Sequence, residues 1–206
     1  MEKSVGIVGG AGPAGRGLAA RLATAGYNVV VGSRTSERAV EVAAEVTHRG
    51  NGTIRGGSNE DAAGCDMVII ATPWDGAVDT VVKLREALQG KVVVSMVNAL
   101  VKQGRELVPL IPPRGSMAAE IAAALPHSRV TGAYHHLPAG DMENLDSGLD
   151  ADVMVVGDDM SARSETVELT NAMPGLRAVE VGSLALAGAV ESFTGVCISE
   201  IGRAHV

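Results

Sequence analysis

Two features of the chain point most directly to chemistry: a glycine-spaced turn near its start and a pair of adjacent histidines two thirds of the way along. Gly10-Ala11-Gly12-Pro13-Ala14-Gly15 follows a short apolar run and opens an amphipathic stretch, so strand, turn and helix occur in the order of a dinucleotide fingerprint. In that reading Gly10 makes the tight turn, Gly12 lets backbone approach a pyrophosphate, and Gly15 seats the helix against the strand. Pro13 and Ala14 form the first helical turn, whose free N–H groups and partial positive charge suit phosphate. A glycine turn without a ligand is the alternative.

The choice of dinucleotide is read where the second strand ends, in Val31-Gly32-Ser33-Arg34-Thr35-Ser36-Glu37-Arg38. An NAD site would place a carboxylate there for the ribose hydroxyls. None is present, and Glu37 falls inside the next helix, too late to serve. Ser33 and Thr35 offer hydroxyls, and Arg34 with Arg38 offers guanidinium to a 2′-phosphate, so NADP(H) is expected. Arg38 serves equally well as a solvated residue of the helix start.

Three further segments should emerge at the carboxyl ends of the strands, where a substrate lies in a doubly wound sheet. The first is Thr72-Pro73-Trp74-Asp75, whose Trp74 either caps the core or walls a pocket for a planar partner. The second carries Asn98, which serves in the crevice or in a turn. The third is Ala133-Tyr134-His135-His136-Leu137-Pro138-Ala139, where the histidines are the polar side chains expected to meet a reacting ring, His135 foremost. No metal is expected, because adjacent histidines diverge and no Cys or Glu cluster has ligand spacing. A serine nucleophile lacks its G-x-S-x-G elbow. Asp158 and Asp159 read as carboxylates at a helix start.

The elements that must position these residues alternate along the chain. The pattern predicts strands over 4–8, 28–32, 53–56, 67–71, 91–95, 129–132, 152–156 and 176–181. Helices are predicted over 13–25, 36–46, 75–88, 116–125 and 161–172, with a last one from Ser183. This is an α/β fold, a doubly wound Rossmann parallel sheet with a small C-terminal α/β appendage. We divide it into an NADP-binding domain over 1–134 and a smaller part over 135–206 that completes the acceptor site. Residues 135–148 read as an irregular active-site loop. In the last helix Leu186, Val190, Phe193, Cys197 and Ile201 form an apolar stripe that packs inside the monomer or on a second copy, and a homodimer is expected.

Composition bounds the function. The 206 residues are 46% hydrophobic but 2% aromatic, so the core must be aliphatic. A net charge of −7 removes the broad basic surface that nonspecific nucleic-acid binding needs. Two distant cysteines fit a reducing compartment without a disulfide framework. Apolar runs are too short to span a bilayer, so a soluble cytoplasmic protein is expected.

Taken together, the glycine turn, Val31-Gly32-Ser33-Arg34, Asn59-Glu60-Asp61-Ala62-Ala63, Thr72-Pro73-Trp74 and the Ala133 to Ala139 segment resemble the deazaflavin-dependent NADP reductases. Ala118-Ala119-Glu120, Asn144-Leu145-Asp146, Gly157-Asp158-Asp159, Gly175-Leu176-Arg177 and Val190-Glu191-Ser192 extend the resemblance over nearly the whole chain. It implies an enzyme exchanging hydride between NADP(H) and coenzyme F420, with Ser33 and Arg34 on the 2′-phosphate and His135 and Pro138 beside the deazaflavin ring. The chain departs from the family pattern at His136, where Thr or Asn is common. Hydride exchange between two flat rings needs no protein nucleophile, so catalysis would be mostly positioning. Arg114 and the helix start near Ser116 are the cations and donors expected for the anionic tail of the deazaflavin. A reductase of a small imine, a flavin or a ferric chelate, and a noncatalytic NADP sensor, are the other readings.

Overall fold

The computed structural model describes residues 3–204. In chain order its elements are β1 (Ser4–Val8), α1 (Pro13–Thr24), β2 (Asn28–Ser33), α2 (Ser36–Glu45), β3 (Thr53–Ser58), α3 (Asn59–Ala63), β4 (Met67–Ile70), α4 (Trp74–Lys83) and α5 (Arg85–Leu88). There follow β5 (Val92–Ser95), β6 (Leu100–Gln103), β7 (Glu106–Pro109), α6 (Met117–Ala124), β8 (Arg129–Gly132), α7 (Ala139–Glu143), β9 (Ala151–Gly157), α8 (Met160–Ala172), β10 (Leu176–Gly182), a 3₁₀ turn (Leu184–Leu186) and α9 (Ala187–Ala204).

One eight-stranded sheet runs in the order β10-β9-β8-β5-β4-β1-β2-β3. Strands β3 to β8 in that sheet are parallel, as the alternation of strand and helix requires. The order reverses at β1, with β2 on one side and β4 on the other, so a crevice opens above the carboxyl ends of β1 and β4. Both faces of the sheet are covered. Val5, Ile7, Val29, Val31 and Ile69 point to the layer holding Leu18 and Leu22, while Val8, Val30, Val68 and Ile70 point to the layer holding Val81 and Ile121. The central strands β1, β2, β4 and β5 are therefore buried and largely apolar along their middles instead of alternating, which is the mark of a sheet covered on two sides.

The last two strands depart from the expected parallel arrangement. β9 pairs antiparallel with β8, through Thr131↔Gly157 and Gly132↔Val156, and β10 then runs parallel to β9. Residues beyond Tyr134 thus add two reversed strands to the same sheet. The connection that turns the chain around is not wholly irregular, since it contains α7. This short helix is held by α1: Arg21, only 3% exposed, donates from Nε to Met142 O and through Nη2 to Asp141 O, and from Nη1 to Pro174 O. Gly17 makes room, because a Cβ there would lie 2.5 Å from Met142 Cβ.

Other differences are local. The helix expected over 75–88 breaks at Leu84 into α4 and α5, and Arg85 turns to donate to Ala124 O. A hairpin of β6 and β7 stands apart from the main sheet, turning at Gly104 with φ 61°. The last helix buries Ala187, Val190, Glu191, Thr194 and Gly195, whereas Phe193 is 51% and Val196 61% exposed. The expected stripe is therefore split: Val190 packs inward, Leu186 and Phe193 face out, and Cys197 is half-buried. The side chain of Ile201 lies outside the described residues.

Candidate functional site

The phosphate turn is built by close approach. Gly9, not Gly10, takes the left-handed conformation, with φ 74°. Gly10 N–H donates to both Ile7 O and Gly32 O, tying the turn to β1 and β2. A Cβ on Gly15 would lie 2.4 Å from Gly10 O, so α1 can sit this near the strand only with glycine there. Gly12 is the N-cap of α1 with no side-chain cap, Pro13 opens the helix, and a Cβ on Gly12 would meet nothing within 4 Å. Open space in front of uncapped helix N–H groups is what an anionic group needs.

From this turn a cleft of about 370 Å³ extends over the ends of β1, β2 and β4, lined by Gly9, Ala11, Ser33, Arg34, Thr72 and Pro73 together with Asn59 and the start of α4. Arg34 is exposed and has no ion pair among the described residues. Ser33 Oγ accepts from Thr35 N–H, which leaves its hydroxyl hydrogen free to donate. Arg38 is placed differently: it stands on the outer face of α2, 3.5 Å from Glu41 and more than half exposed, outside the lining of the cleft. Thr72 Oγ1 is buried with no hydrogen-bond partner.

Asn59 belongs to this cleft and is missed by reading motifs alone. It opens α3, whose N-terminus is closed by a capping box of Ser58 and Asp61, and its Oδ1 accepts from Gly9 N–H at 3.0 Å. The Ser58-x-x-Asp61 spacing signals the helix start, but nothing local shows that the residue after the cap reaches the phosphate turn.

Beside this cleft lies a second, of about 500 Å³, lined by Trp74, Val78, Ala99, Leu110, Ile111 and Met117 among others. Asp75 lines both. Trp74 is 38% exposed and begins α4, so it walls this apolar cleft and does not cap the core.

The histidine segment is organised from behind. Tyr134 adopts φ 66°, rare for a bulky residue and costing on the order of 1–3 kcal/mol. Its buried hydroxyl holds it there by donating to Thr170 Oγ1, whose own hydrogen goes to Thr166 O. Burial pushes the phenol above its ordinary range. His135 comes next and turns inward, only 4% exposed. Its Nδ1 lies 3.0 Å from Asn98 Oδ1, while Asn98 Nδ2 donates to His135 O at 2.8 Å. The amide orientation makes Oδ1 the acceptor, so Nδ1 carries the proton and Nε2 holds a lone pair. That Nε2 is sealed and unpartnered, 3.1 Å from where a Cβ on Gly132 would stand. Burial, aided by the neighbouring His136, lowers the imidazole to about 3. His135 is thus neutral and faces the sheet, not open space.

The remaining residues of the segment are also accounted for. His136 Nε2 donates to Asp152 O on β9, Leu137 packs against the main core, and Pro138 is the N-cap of α7. The helix start near Ser116 is not open to an anion, contrary to expectation. Glu191 reaches from α9 and accepts Met117 N–H and Ala118 N–H, and Ser116 Oγ accepts Ala119 N–H. Arg114 lies by Glu120, which also accepts its backbone N–H. The protein's own carboxylate occupies that helix end. Asp159 caps α8 by accepting from Ala162 N–H, as expected of an acid at a helix start.

Comparison with known proteins gives the family and the fold. Residues 4–99 match the family profile described as NADP oxidoreductase coenzyme F420-dependent. The chain is 34% identical over 204 residues to an F420-dependent NADP reductase of Methanocaldococcus jannaschii, covering 94% of this chain and 90% of that protein. A second F420-dependent NADP reductase, from Methanothermobacter thermautotrophicus, is 30% identical, covering 97% of this chain and 89% of the relative. Among solved structures, a putative F420-dependent NADP reductase from Arthrobacter superposes with a TM-score of 0.82 at 22% identity, covering 99% of this chain and 96% of that one, which shows a shared fold.

Proposed function

Since the chain belongs to the coenzyme F420-dependent NADP oxidoreductases, we propose that its glycine turn, Ser33 and Arg34 hold NADP(H) and that the ends of β4, β5 and β8 receive the deazaflavin. The enzyme is an NADPH-dependent F420 reductase, moving hydride between NADP(H) and coenzyme F420. Bound, the nicotinamide and the deazaflavin supply the hydride-carrying carbons.

The observation that carries the NADP assignment is Arg34, a guanidinium with no ion pair among the described residues, standing in the same cleft as Ser33. A 2′-phosphate would find there one full cation and one hydroxyl donor, and no carboxylate to repel it at the end of β2. The uncapped N–H groups behind Gly12 are the donors for the pyrophosphate. Gly10, Pro13, Ala14 and Gly15 hold that turn in shape. Arg38, paired with Glu41 outside the lining of the cleft, is not assigned to the phosphate.

On the acceptor side we assign Thr72, Pro73, Trp74, Asn98 and the 135–138 segment. Trp74 contributes an apolar wall that excludes water from a flat ring, while Leu137, packed on the main core, and Pro138, the N-cap of α7, fix the course of the loop outside that cleft. His135 acts as a positioning residue. Its paired hydrogen bonds with Asn98 lock the loops after β5 and β8 to one another, so the segment entering the crevice is fixed before a ring arrives.

Residues 1–134 form the NADP-binding part and 135–206 complete the acceptor side. The exposed Phe193 and Val196 on α9 support a homodimer. The acidic balance of the chain favours small redox cofactors over nucleic acid, and among the described residues no helix is long and apolar enough to cross a membrane. We place the enzyme in the cytoplasm.

Mixing purified protein with NADPH and oxidised F420 should bleach the visible absorbance of the deazaflavin. Oxidation of NADPH by flavins, ferric chelates or imines but not by F420 would overturn the acceptor assignment. Binding of NADPH with turnover of none of them would identify a sensor instead.

A further inference from the structure

The amide of Asn59 has one half committed and one half free. Its Oδ1 accepts Gly9 N–H, and a Cβ on Gly32 would come within 3.0 Å of the same oxygen. Glycines at 6 and 32 are what let α3 reach this position, since a Cβ on Gly6 would collide with Ala62 O and one on Gly32 would lie 2.8 Å from Ala62 Cβ. Nδ2, by contrast, has no hydrogen-bond partner among the described residues and is not among the buried atoms left without one, although the residue as a whole is 8% exposed. With Oδ1 turned to Gly9, the open side of this nitrogen is the cleft that Asn59 lines with Ser33 and Arg34.

The position dictates what Nδ2 would meet. With the pyrophosphate at the start of α1 and the 2′-phosphate at Ser33 and Arg34, the adenosine ribose must cross the seam between the ends of β1 and β2, where Asn59 sits. Phosphorylation of the 2′ oxygen leaves acceptors at that place, and Nδ2 is purely a donor. We propose that Asn59 is a cofactor-binding residue that donates from Nδ2 to the adenosine ribose or to the 2′-phosphate it bears, while its Oδ1 holds the phosphate turn in its left-handed shape. This rests on the NADP reading of the cleft and adds the residue that joins turn and ribose.

Asn59→Asp separates the two duties, because a carboxylate still accepts Gly9 N–H but cannot donate and repels phosphate. Calorimetric titration with 2′,5′-ADP should show N59D binding about tenfold or more weaker than the natural protein, with thermal unfolding little changed. In the natural protein labelled with ¹³C and ¹⁵N, the side-chain amide protons of Asn59, assigned by through-bond correlation to its own Cβ and backbone, should shift on saturation with 2′,5′-ADP. That spectrum decides the matter even where N59D fails to fold. Equal affinity in N59D, or amide protons that do not respond to saturating ligand, would overturn the role of Asn59 while leaving the NADP assignment intact. Absence of 2′,5′-ADP and NADPH binding in the natural protein would overturn both.

Discussion

At the scale of single residues, the proposed site separates into a charged end and a neutral one. Arg34 is the residue proposed to supply the charge. Arg34→Ala should raise the KM for NADPH about tenfold or more and leave that for NADH nearly unchanged, since only the former carries the 2′-phosphate. Equal losses for both would show that Arg34 does not read the phosphate. His135 supplies the neutral end. Burial holds its imidazole at about 3, so it stays uncharged across the working range of the enzyme. The pH profile of kcat/KM should therefore lack an inflection near the ordinary histidine value, and His135→Gln should leave the shape of the profile intact. An inflection near neutrality that vanishes in H135Q would put a titrating imidazole in the crevice. The residue types around both ends could be read from the chain, but the direction in which His135 points could not. Two adjacent histidines after a strand look alike on paper, and only the left-handed Tyr134 turns the first inward and leaves the second on Asp152 O.

Among the elements, the β1–α1 unit shows how identical residues do different work. A methyl on Gly15 would run into Gly10 O, whereas one on Gly12 would enter empty space. Gly15→Ala should destabilise the fold by roughly 1–3 kcal/mol of overpacking, read as a markedly lower melting temperature. Gly12→Ala should fold as well as the natural protein yet bind NADPH more weakly, because the methyl takes up room at the mouth of the helix. Thermal melts with and without NADPH distinguish the two, and a Gly12→Ala protein with normal NADPH affinity would argue against a pyrophosphate there. The start of α6 teaches the opposite lesson. It reads from sequence as an anion site, but Glu191 arrives from α9 to occupy it. The residue was in plain view in the chain, on what a hydrophobicity pattern makes a polar interruption of the last helix. Its burial at 5% follows from the partner it finds, and a search for apolar stripes has no means of detecting that.

For the whole molecule, two buried groups make stability depend on pH in opposite senses. Burial raises the Glu191 carboxyl to about 7, against the pull of its two backbone hydrogen bonds. Its contribution is full below the ordinary glutamate value of 4.5 and is lost as pH rises through about 7. His135 is lowered from 6.5 to about 3, so its contribution is full above 6.5 and is lost as pH falls toward about 3. Between 4.5 and 6.5 the two slopes oppose one another, each at most about 1.4 kcal/mol per pH unit. The natural protein should show a shallow dependence there. Glu191→Gln should steepen the rise of stability with pH, and H135Q should reverse it, as measured by denaturant unfolding at a series of pH values. Parallel curves for all three proteins would mean that neither group titrates as its surroundings dictate.

Short-range physics explains which features the chain announces. The strand-turn-helix that starts the sheet, the two-sided aliphatic strands and the missing acid at the end of β2 depend on residues within a few positions of each other, so their types and order suffice. The features that fix the site are joined across long stretches of chain: Asn59 to Gly9 over 50 positions, Asn98 to His135 over 37, Glu191 to Met117 over 74. The reversal of β9 against β8 is of the same kind. Each depends on which polar group finds a partner once water has been excluded, and that choice exists only after the sheet and its two helical layers have closed.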